Sequence, residues 1–189
     1  GDALYPMLGR CLSSEEINTL PFAVLKLETT QYGSAYFALG RIVDGQRLWA
    51  ATSGQVLVES HGLVRRSTGF PSTLEGTQFI GTDPFVAGLH RLQGDEIFQR
   101  RVDWQPGYRF GVILNCRFSR PRETELSIHT ERRSVRLIEE ELRTENGKFY
   151  ATNRYWYLPD DGTVLRTEQQ LTPEERVIIT YEQKPEKRS

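Results

Sequence analysis

Five side chains in this sequence have the chemistry to hold a carbohydrate: the rings of Trp49, Trp104, Tyr155 and Tyr157, and the guanidinium of Arg101. Aromatic rings offer a broad apolar face with a polar edge, which suits amphipathic ligands such as sugars. An arginine pairs well with the carboxylates of an acidic polymer. The competing interpretation is structural, because rings at alternating strand positions are also typical of a core and of cross-strand pairs.

Charged residues cluster at a few other places. Arg100-Arg101 and Arg132-Arg133 fall in predicted strands, where neighbours point to opposite faces. One member of each pair then lines a polar interior, or both pairs serve as exposed solubilising charge. The run Glu139-Glu140-Glu141 is interpreted as a solvated edge, and Asp160-Asp161 before Gly162 as a turn.

Motifs for catalysis or metal binding are not found. The sequence has no G-x-S-x-G elbow, no H-E-x-x-H and no phosphate-binding glycine loop. Its histidines, His61, His90 and His129, are scattered, whereas a zinc site needs about four ligands at short spacings. Cys11 and Cys116 are interpreted as buried thiols, with one long-range disulfide as the alternative in an oxidising compartment. We expect no catalytic residue, no metal and no cofactor.

Composition sets the class of protein. With 189 residues, 38% hydrophobic and 26% charged, the chain has the balance of one soluble globular domain. Its formal net charge of −1 provides no field that attracts nucleic acid or an anionic membrane. No apolar run approaches the roughly 18 residues of a membrane-spanning helix.

Turn signals at short intervals predict the fold class. Asp-Gly, His-Gly and Asn-Gly pairs are typical of tight hairpins, because such turns need positive φ. These pairs are Asp44-Gly45, His61-Gly62, Asn146-Gly147 and Asp161-Gly162. We predict a mainly β fold, an antiparallel meander of about 11–12 strands that forms a barrel or two packed sheets, with one or two short helices.

The domain organisation follows from where the strand pattern begins and ends. Residues 1–22 are predicted to form an N-terminal segment with a short helix or turn, 23–182 a single β domain, and 183–189 a frayed tail. Residues 68–95 are predicted to interrupt the meander with a loop and a short helix after Asp83-Pro84.

Three ordered blocks of residues resemble a known family. The first includes Leu20-Pro21-Phe22-Ala23, Ala38-Leu39-Gly40, Leu48-Trp49 and His61-Gly62; the second Asp83-Pro84-Phe85 and Arg101-Val102-Asp103-Trp104; the third Tyr155-Trp156-Tyr157, Asp161-Gly162-Thr163 and Gln169-Gln170-Leu171. In this order, over roughly residues 15–182, they resemble the YjbF/GfcB (YmcC-like) family of bacterial lipoproteins linked to group 4 capsule and exopolysaccharide export.

The resemblance implies a non-enzymatic accessory of capsule or exopolysaccharide secretion or assembly, facing the periplasm and lipid-anchored to the outer membrane. It implies polysaccharide export proteins of the outer membrane as partners, with the polysaccharide itself as a further candidate and no nucleic acid. Cys11 follows Leu8-Gly9-Arg10, and Arg10 does not fit the small-residue lipobox that precedes a lipidated cysteine. We therefore expect membrane contact only through a lipid-bearing cysteine outside this sequence.

The residues leave two other functions open. One is a carrier, a β-barrel that holds a lipid or another small hydrophobic ligand in its mouth. The other is a carbohydrate-active enzyme, which would need two carboxylates facing each other across about 5–10 Å of a cleft.

Overall fold

The computed structural model describes residues 12–31 and 33–182. The expected tail at 183–189 and the first half of the expected N-terminal segment, including Cys11, lie outside the described residues. The helices are α1 (Ser14–Thr19), α2 (Pro84–Ala87) and a 3₁₀ turn (Leu89–Arg91). The strands are β1 (Val24–Thr29), β2 (Gly33–Val43), β3 (Gln46–Ala50), β4 (Val56–Ser60), β5 (Leu63–Thr68), β6 (Thr73–Ile80), β7 (Ile97–Gln105), β8 (Arg109–Phe118), β9 (Arg122–Ile128), β10 (Glu131–Thr144), β11 (Tyr150–Tyr157), β12 (Val164–Thr172) and β13 (Glu175–Glu182).

The strands form one antiparallel sheet that nearly closes on itself. Its order is β5-β4-β3-β2-β1-β13-β12-β11-β10-β8-β7-β6, with β9 paired to β10. Side chains hold the two end strands together: the Leu74 amide donates to Ser67 Oγ at 2.9 Å, and Thr77 Oγ1 donates to the Arg65 carbonyl at 2.9 Å. The predicted mainly β fold is confirmed, and of the two architectures left open it is the barrel.

Turn chemistry and alternation explain why the sequence folds this way. Asp44 and Gly45 have φ of 52° and 76°, and His61 and Gly62 have φ of 52° and 86°, as tight hairpins require. Along β11 every second residue is buried, which sends Tyr155 and Tyr157 to the interior and Trp156 to the outer face.

The prediction of a loop over residues 68–95 was wrong in its first half, because Thr73–Ile80 is a strand paired with β7. The register of that pairing shifts between Leu74 and Gly76, so a bulge interrupts the alternation from which a strand is inferred. The second half agrees with the prediction. Asp83 caps α2 by accepting from the amides of Phe85 and Val86 at 2.9 and 3.2 Å.

Two elements cover parts of the barrel's outer surface. Helix α1 packs Ile17 and Leu20 against Val24 and Tyr36 of the first two strands. The β9–β10 hairpin packs Leu126 and Val135 against Leu165 of β12. No helix among the described residues is long and apolar enough to span a membrane.

Large side chains fill the barrel interior. Phe85 of α2 enters one end, where its ring centroid lies 5.1 Å from that of Tyr155 and 6.0 Å from that of Phe118. An interior cavity beside Trp104 and Asn153 measures about 20 Å³, which is room for one or two water molecules. A lipid or drug-sized ligand needs several hundred Å³, roughly 300–1,000 Å³, so this interior cavity is too small to hold one.

Candidate functional site

An open cleft of about 360 Å³ lies at the barrel end that Phe85 closes. Antiparallel topology brings together at this end the β2–β3 turn, the β4–β5 turn, α2 with the 3₁₀ turn, and the β11–β12 connection. We call it the mouth cleft. Its polar side chains are Arg47, His61, His90, Asp161 and Thr163. Its volume is within the roughly 300–1,000 Å³ typical of small-ligand sites.

Arg47 reaches the mouth cleft from β3 and is held by Glu59 of β4. Glu59 Oε1 accepts from Arg47 Nε and from Trp49 Nε1, each at 2.9 Å, and Glu59 Oε2 accepts from the Gly62 amide at 3.0 Å. Glu59 is fully buried, whereas 27% of the Arg47 side chain is exposed. Burial alone would lower the pKa of Arg47, but the Glu59 carboxylate outweighs it, so this pKa is raised.

His90 packs closely against two glycines. A Cβ on Gly88 would lie 2.5 Å from His90 Cε1, and a Cβ on Gly162 would lie 2.6 Å from His90 Nδ1, so a side chain at either position would displace the ring. Both glycines also have positive φ, 114° and 79°, which other residues rarely adopt. His90 Nδ1 is buried with no hydrogen-bond partner in the described structure.

Asp161 supplies the carboxylate of the mouth cleft. Its Oδ1 accepts from the Thr163 amide at 2.9 Å. The bonds from the Thr163 backbone and side chain, helped by the nearby His90, lower the pKa of Asp161. Asp161 is therefore an ionised acceptor at neutral pH. Among the described residues that line the cleft, it is the one carboxylate.

A second polar group lies inside the barrel. Glu140 Oε2 accepts from Arg100 Nη1 at 2.6 Å, and Glu140 Oε1 accepts from the Tyr155 hydroxyl at 2.6 Å. Asn153 Nδ2 donates to that hydroxyl at 3.2 Å. Arg100 is 4% exposed, and Glu140, Asn153 and Tyr155 at most 1%. We call these four residues the interior network.

Burial keeps Tyr155 of the interior network, and the neighbouring Cys116, protonated. Burial and the Glu140 carboxylate raise the pKa of Tyr155 well above its ordinary value. Burial also raises the pKa of the neighbouring Cys116 thiol to about 12. A tyrosine and a cysteine that stay protonated are poor nucleophiles, and both of these side chains are fully buried. The geometry indicates a structural role.

The structure separates the residues proposed from the sequence for ligand binding. Trp49, Trp104, Tyr155 and Tyr157 are at most 5% exposed and lie in one hydrophobic core. Strand alternation turns them inward, so they present no ring face for stacking on a sugar. Arg101 is exposed on β7 and contacts Gln78 of β6, with Nη1 to Oε1 at 3.5 Å. The structure does not bring these five residues together as one surface.

The predictions for the charge clusters agree with the structure in part. Arg100 lines the interior and Arg101 is exposed. This agrees with the interpretation that one member of a pair lines a polar interior. Arg132 and Arg133 are both exposed. The solvated edge predicted for Glu139-Glu140-Glu141 was wrong for Glu140, because it faces inward to pair with Arg100.

The described residues also bear on metal binding and on the predicted disulfide. In residues 12–31 and 33–182 no group of three or more histidine, cysteine, aspartate or glutamate side chains could hold a metal ion. Cys116 is a buried free thiol in this part of the chain. Because Cys11 lies outside the described residues, its pairing with Cys116 stays a prediction.

The mouth cleft was missed by sequence reasoning. His61 and Asp161 were interpreted only as turn residues, and His90 as one scattered histidine. In a simple meander the turns after β2 and β11 would lie at opposite ends. They share one end here because β8 and β9 both pair antiparallel with β10 and therefore run in the same direction, which the local sequence pattern does not show.

Fold and site together define a small, nearly closed antiparallel β-barrel domain with a filled interior and one polar cleft at its mouth. The family model described as "Group 4 capsule polysaccharide lipoprotein gfcB, YjbF" matches residues 8–181. The chain therefore belongs to the YjbF family of group 4 capsule polysaccharide lipoproteins, as its motifs suggested.

Two proteins of Escherichia coli K12 are similar to this chain. The chain is 23% identical over 173 residues to the uncharacterized lipoprotein YjbF, covering 90% of this chain and 79% of the relative. It matches the crystal structure of the hypothetical lipoprotein YmcC with a TM-score of 0.83 and 19% identity, over 93% of this chain and 90% of the other. At that identity the second match supports the fold alone.

Proposed function

We propose that this domain is a non-enzymatic accessory of capsule or exopolysaccharide secretion or assembly, carried by a lipoprotein on the periplasmic side of the outer membrane. The observation that carries the proposal is family membership over residues 8–181. Its expected partners are polysaccharide export proteins of the outer membrane, with the polymer as a further candidate.

The geometry of the two polar sites supports the non-enzymatic part of the proposal. Glycosidases usually act through two carboxylates across the scissile bond, and Asp161 is the one carboxylate lining the described mouth cleft. The other carboxylate considered, Glu140, is buried and paired with Arg100 in the filled interior. A binding role for the cleft agrees better with these features than bond cleavage does.

Deletion of the gene in its native host tests the proposal. We expect less polysaccharide on the cell surface, measured by immunoblot of intact cells, with polymer retained in lysates. The full-length gene should restore it. Unchanged surface polymer in the deletion strain would contradict the accessory role.

Two further measurements separate the accessory from the enzyme and test the location. Purified domain incubated with the polymer should leave its size distribution unchanged by size-exclusion chromatography; shortened chains would establish an enzyme. Full-length protein should incorporate radiolabelled palmitate and sediment with outer-membrane vesicles. A protein that takes up no label would contradict the lipid anchor.

A further inference from the structure

The mouth cleft has the features of a prepared binding site. His90 packs between Gly88 and Gly162, Arg47 is held by its hydrogen bond to Glu59, and Asp161 is held by its hydrogen bond from the Thr163 amide. A site whose polar groups are already held in place loses little conformational entropy when a ligand binds. These three groups come from three separate segments of the chain, and the interior network uses none of them.

The charges around the cleft select among ligands. The positive charge of Arg47 is neutralised by Glu59 directly behind it. The pKa of Asp161 is lowered by its bonds from Thr163, so its negative charge persists at neutral pH and has no salt-bridge partner in the described structure. A phosphate or uronate group entering the cleft would meet this carboxylate, and repulsion between like charges disfavours it.

The hydrogen-bonding groups complement hydroxyls. A carboxylate accepts from two neighbouring hydroxyls of a sugar ring, and an arginine edge or an imidazole donates to their oxygens. The exposed quarter of the Arg47 side chain and the exposed His61 provide such donors around Asp161. Val86, 57% exposed on α2, adds an apolar wall that a ring's C–H face can contact.

We propose that the mouth cleft binds an uncharged sugar residue of the secreted polysaccharide, with Asp161 accepting from its hydroxyls and Arg47 and His61 donating to it. This inference rests on the proposed function, and names the chemistry of the ligand. His90 packs against Gly162, next to Asp161. We expect the cleft to bind a single sugar unit weakly, so that the polymer can leave it again.

The test uses polysaccharide purified from the native host, hydrolysed under mild acid and separated by anion exchange into uncharged and acidic fragments. Each fraction is titrated into ¹⁵N-labelled domain and followed by NMR. We expect uncharged fragments to shift the amides of Gly62, Gly162 and Thr163, with acidic fragments and inorganic phosphate binding at least about tenfold more weakly.

Three variants locate the site. Val86→Trp fills the cleft from an exposed helix position and should abolish the shifts. Asp161→Asn keeps the bond from Thr163 but removes the charge, and should weaken binding about fivefold or more. Ile97→Trp is the matched control, since Ile97 is 62% exposed and does not line the cleft; it should bind like the unmodified domain. Circular dichroism confirms that all three fold.

The possible outcomes are distinct. If no fragment shifts a cleft amide, or if V86W binds as well as the unmodified domain, the cleft is not the sugar site. If acidic fragments bind more tightly and D161N strengthens them, the ligand class is wrong. Loss of surface polymer in the deletion strain without any cleft binding would overturn this inference and leave the proposed function intact. Cleft binding without any deletion phenotype would overturn the proposed function and leave this inference intact.

Discussion

Glu140 and Glu59 are both fully buried carboxylates paired with an arginine, but their surroundings differ. Arg100, the partner of Glu140, is 4% exposed, whereas 27% of the Arg47 side chain beside Glu59 is exposed. Glu140 joins β7, β10 and β11 through Arg100 and Tyr155, deep in the barrel. Glu59 ties a strand to the turn that borders the mouth cleft.

The difference separates a structural role from a role in shaping the site. A charge left alone in the interior cannot reach water, so either partner of the Arg100–Glu140 pair depends on the other. Arg47 can turn its guanidinium to solvent if its partner is removed, as long polar side chains do. Loss of Glu59 should therefore disturb the cleft more than the fold.

Glu140→Gln should give the largest effect. It leaves the Arg100 charge uncompensated in the interior, and breaking a buried pair in this way costs about 3–5 kcal/mol. We expect the free energy of unfolding to fall by that amount, measured by urea denaturation. Glu141→Gln is the matched control, since Glu141 is exposed on the same strand and should change stability by less than about 0.5 kcal/mol. Equal effects of the two variants would show that Glu140 is not the buried anchor.

Cys116 reports on the same region without altering it. Its thiol is fully buried, and burial raises its pKa to about 12, so little thiolate exists in the folded domain. In reduced protein at pH 8, iodoacetamide should modify Cys116 at least about a hundredfold more slowly than in urea. Mass spectrometry of the peptide containing Cys116 measures the rate. Glu140→Gln should increase it about a hundredfold or more, and rapid alkylation of the unmodified fold would show that the interior is open.

Glu59→Gln should have a smaller and more local effect. The amide keeps one acceptor oxygen, so either the Gly62 amide or the Arg47 and Trp49 donors lose their partner. One unsatisfied buried group costs about 1–3 kcal/mol. We expect a loss in that range by urea denaturation, with NMR shift changes concentrated at Gly62, Gly45 and Arg47. Changes spread evenly over the barrel would place Glu59 in the same class as Glu140.

Much of the fold follows from local sequence. Asp44-Gly45 and His61-Gly62 have the positive φ that a tight hairpin needs, and alternation correctly turned Tyr155 and Tyr157 to one face. Strand β6 was missed because a bulge at Gly76 breaks its alternation, which is the signal that reveals a strand. A local pattern detects regular strands but not the irregular ones that complete a barrel.

The polar sites depend on residues distant in sequence. From the sequence alone, Glu140 is interpreted as a solvated acid. Only the fold places Arg100, on another strand, opposite it. His61, His90 and Asp161 meet because three connections end at the same mouth. The buried aromatics show the opposite error, since their chemistry suits a sugar surface but their strand positions face the core. Residue type predicts what a side chain can do, whereas topology decides which other groups it meets.

Glu175 extends the comparison to a buried carboxylate with no cationic partner among residues 12–31 and 33–182. It is 3% exposed at the start of β13, and its Oε1 has no hydrogen-bond partner in the described structure. Burial raises its pKa in the folded state. Because the folded-state pKa is raised, protonated Glu175 favours the folded state. This contribution to the free energy of unfolding is present below the unfolded pKa of about 4.3, and it is lost as pH rises through the folded-state pKa.

Glu175→Gln removes the cost of burying an ionised carboxylate, and it should stabilise the domain at pH 7 by up to about 1 kcal/mol. The gain should shrink towards zero near pH 4, because the wild-type carboxyl is then mostly protonated in both states. Thermal unfolding at pH 4 and 7 measures the difference. Glu174→Gln is the matched control: Glu174 is half exposed and pairs with Arg109, so its replacement should give no such gain. A destabilised E175Q at pH 7 would show that the ionised Glu175 carboxylate is stabilised where it lies, as the Glu140 and Glu59 carboxylates are by their arginines.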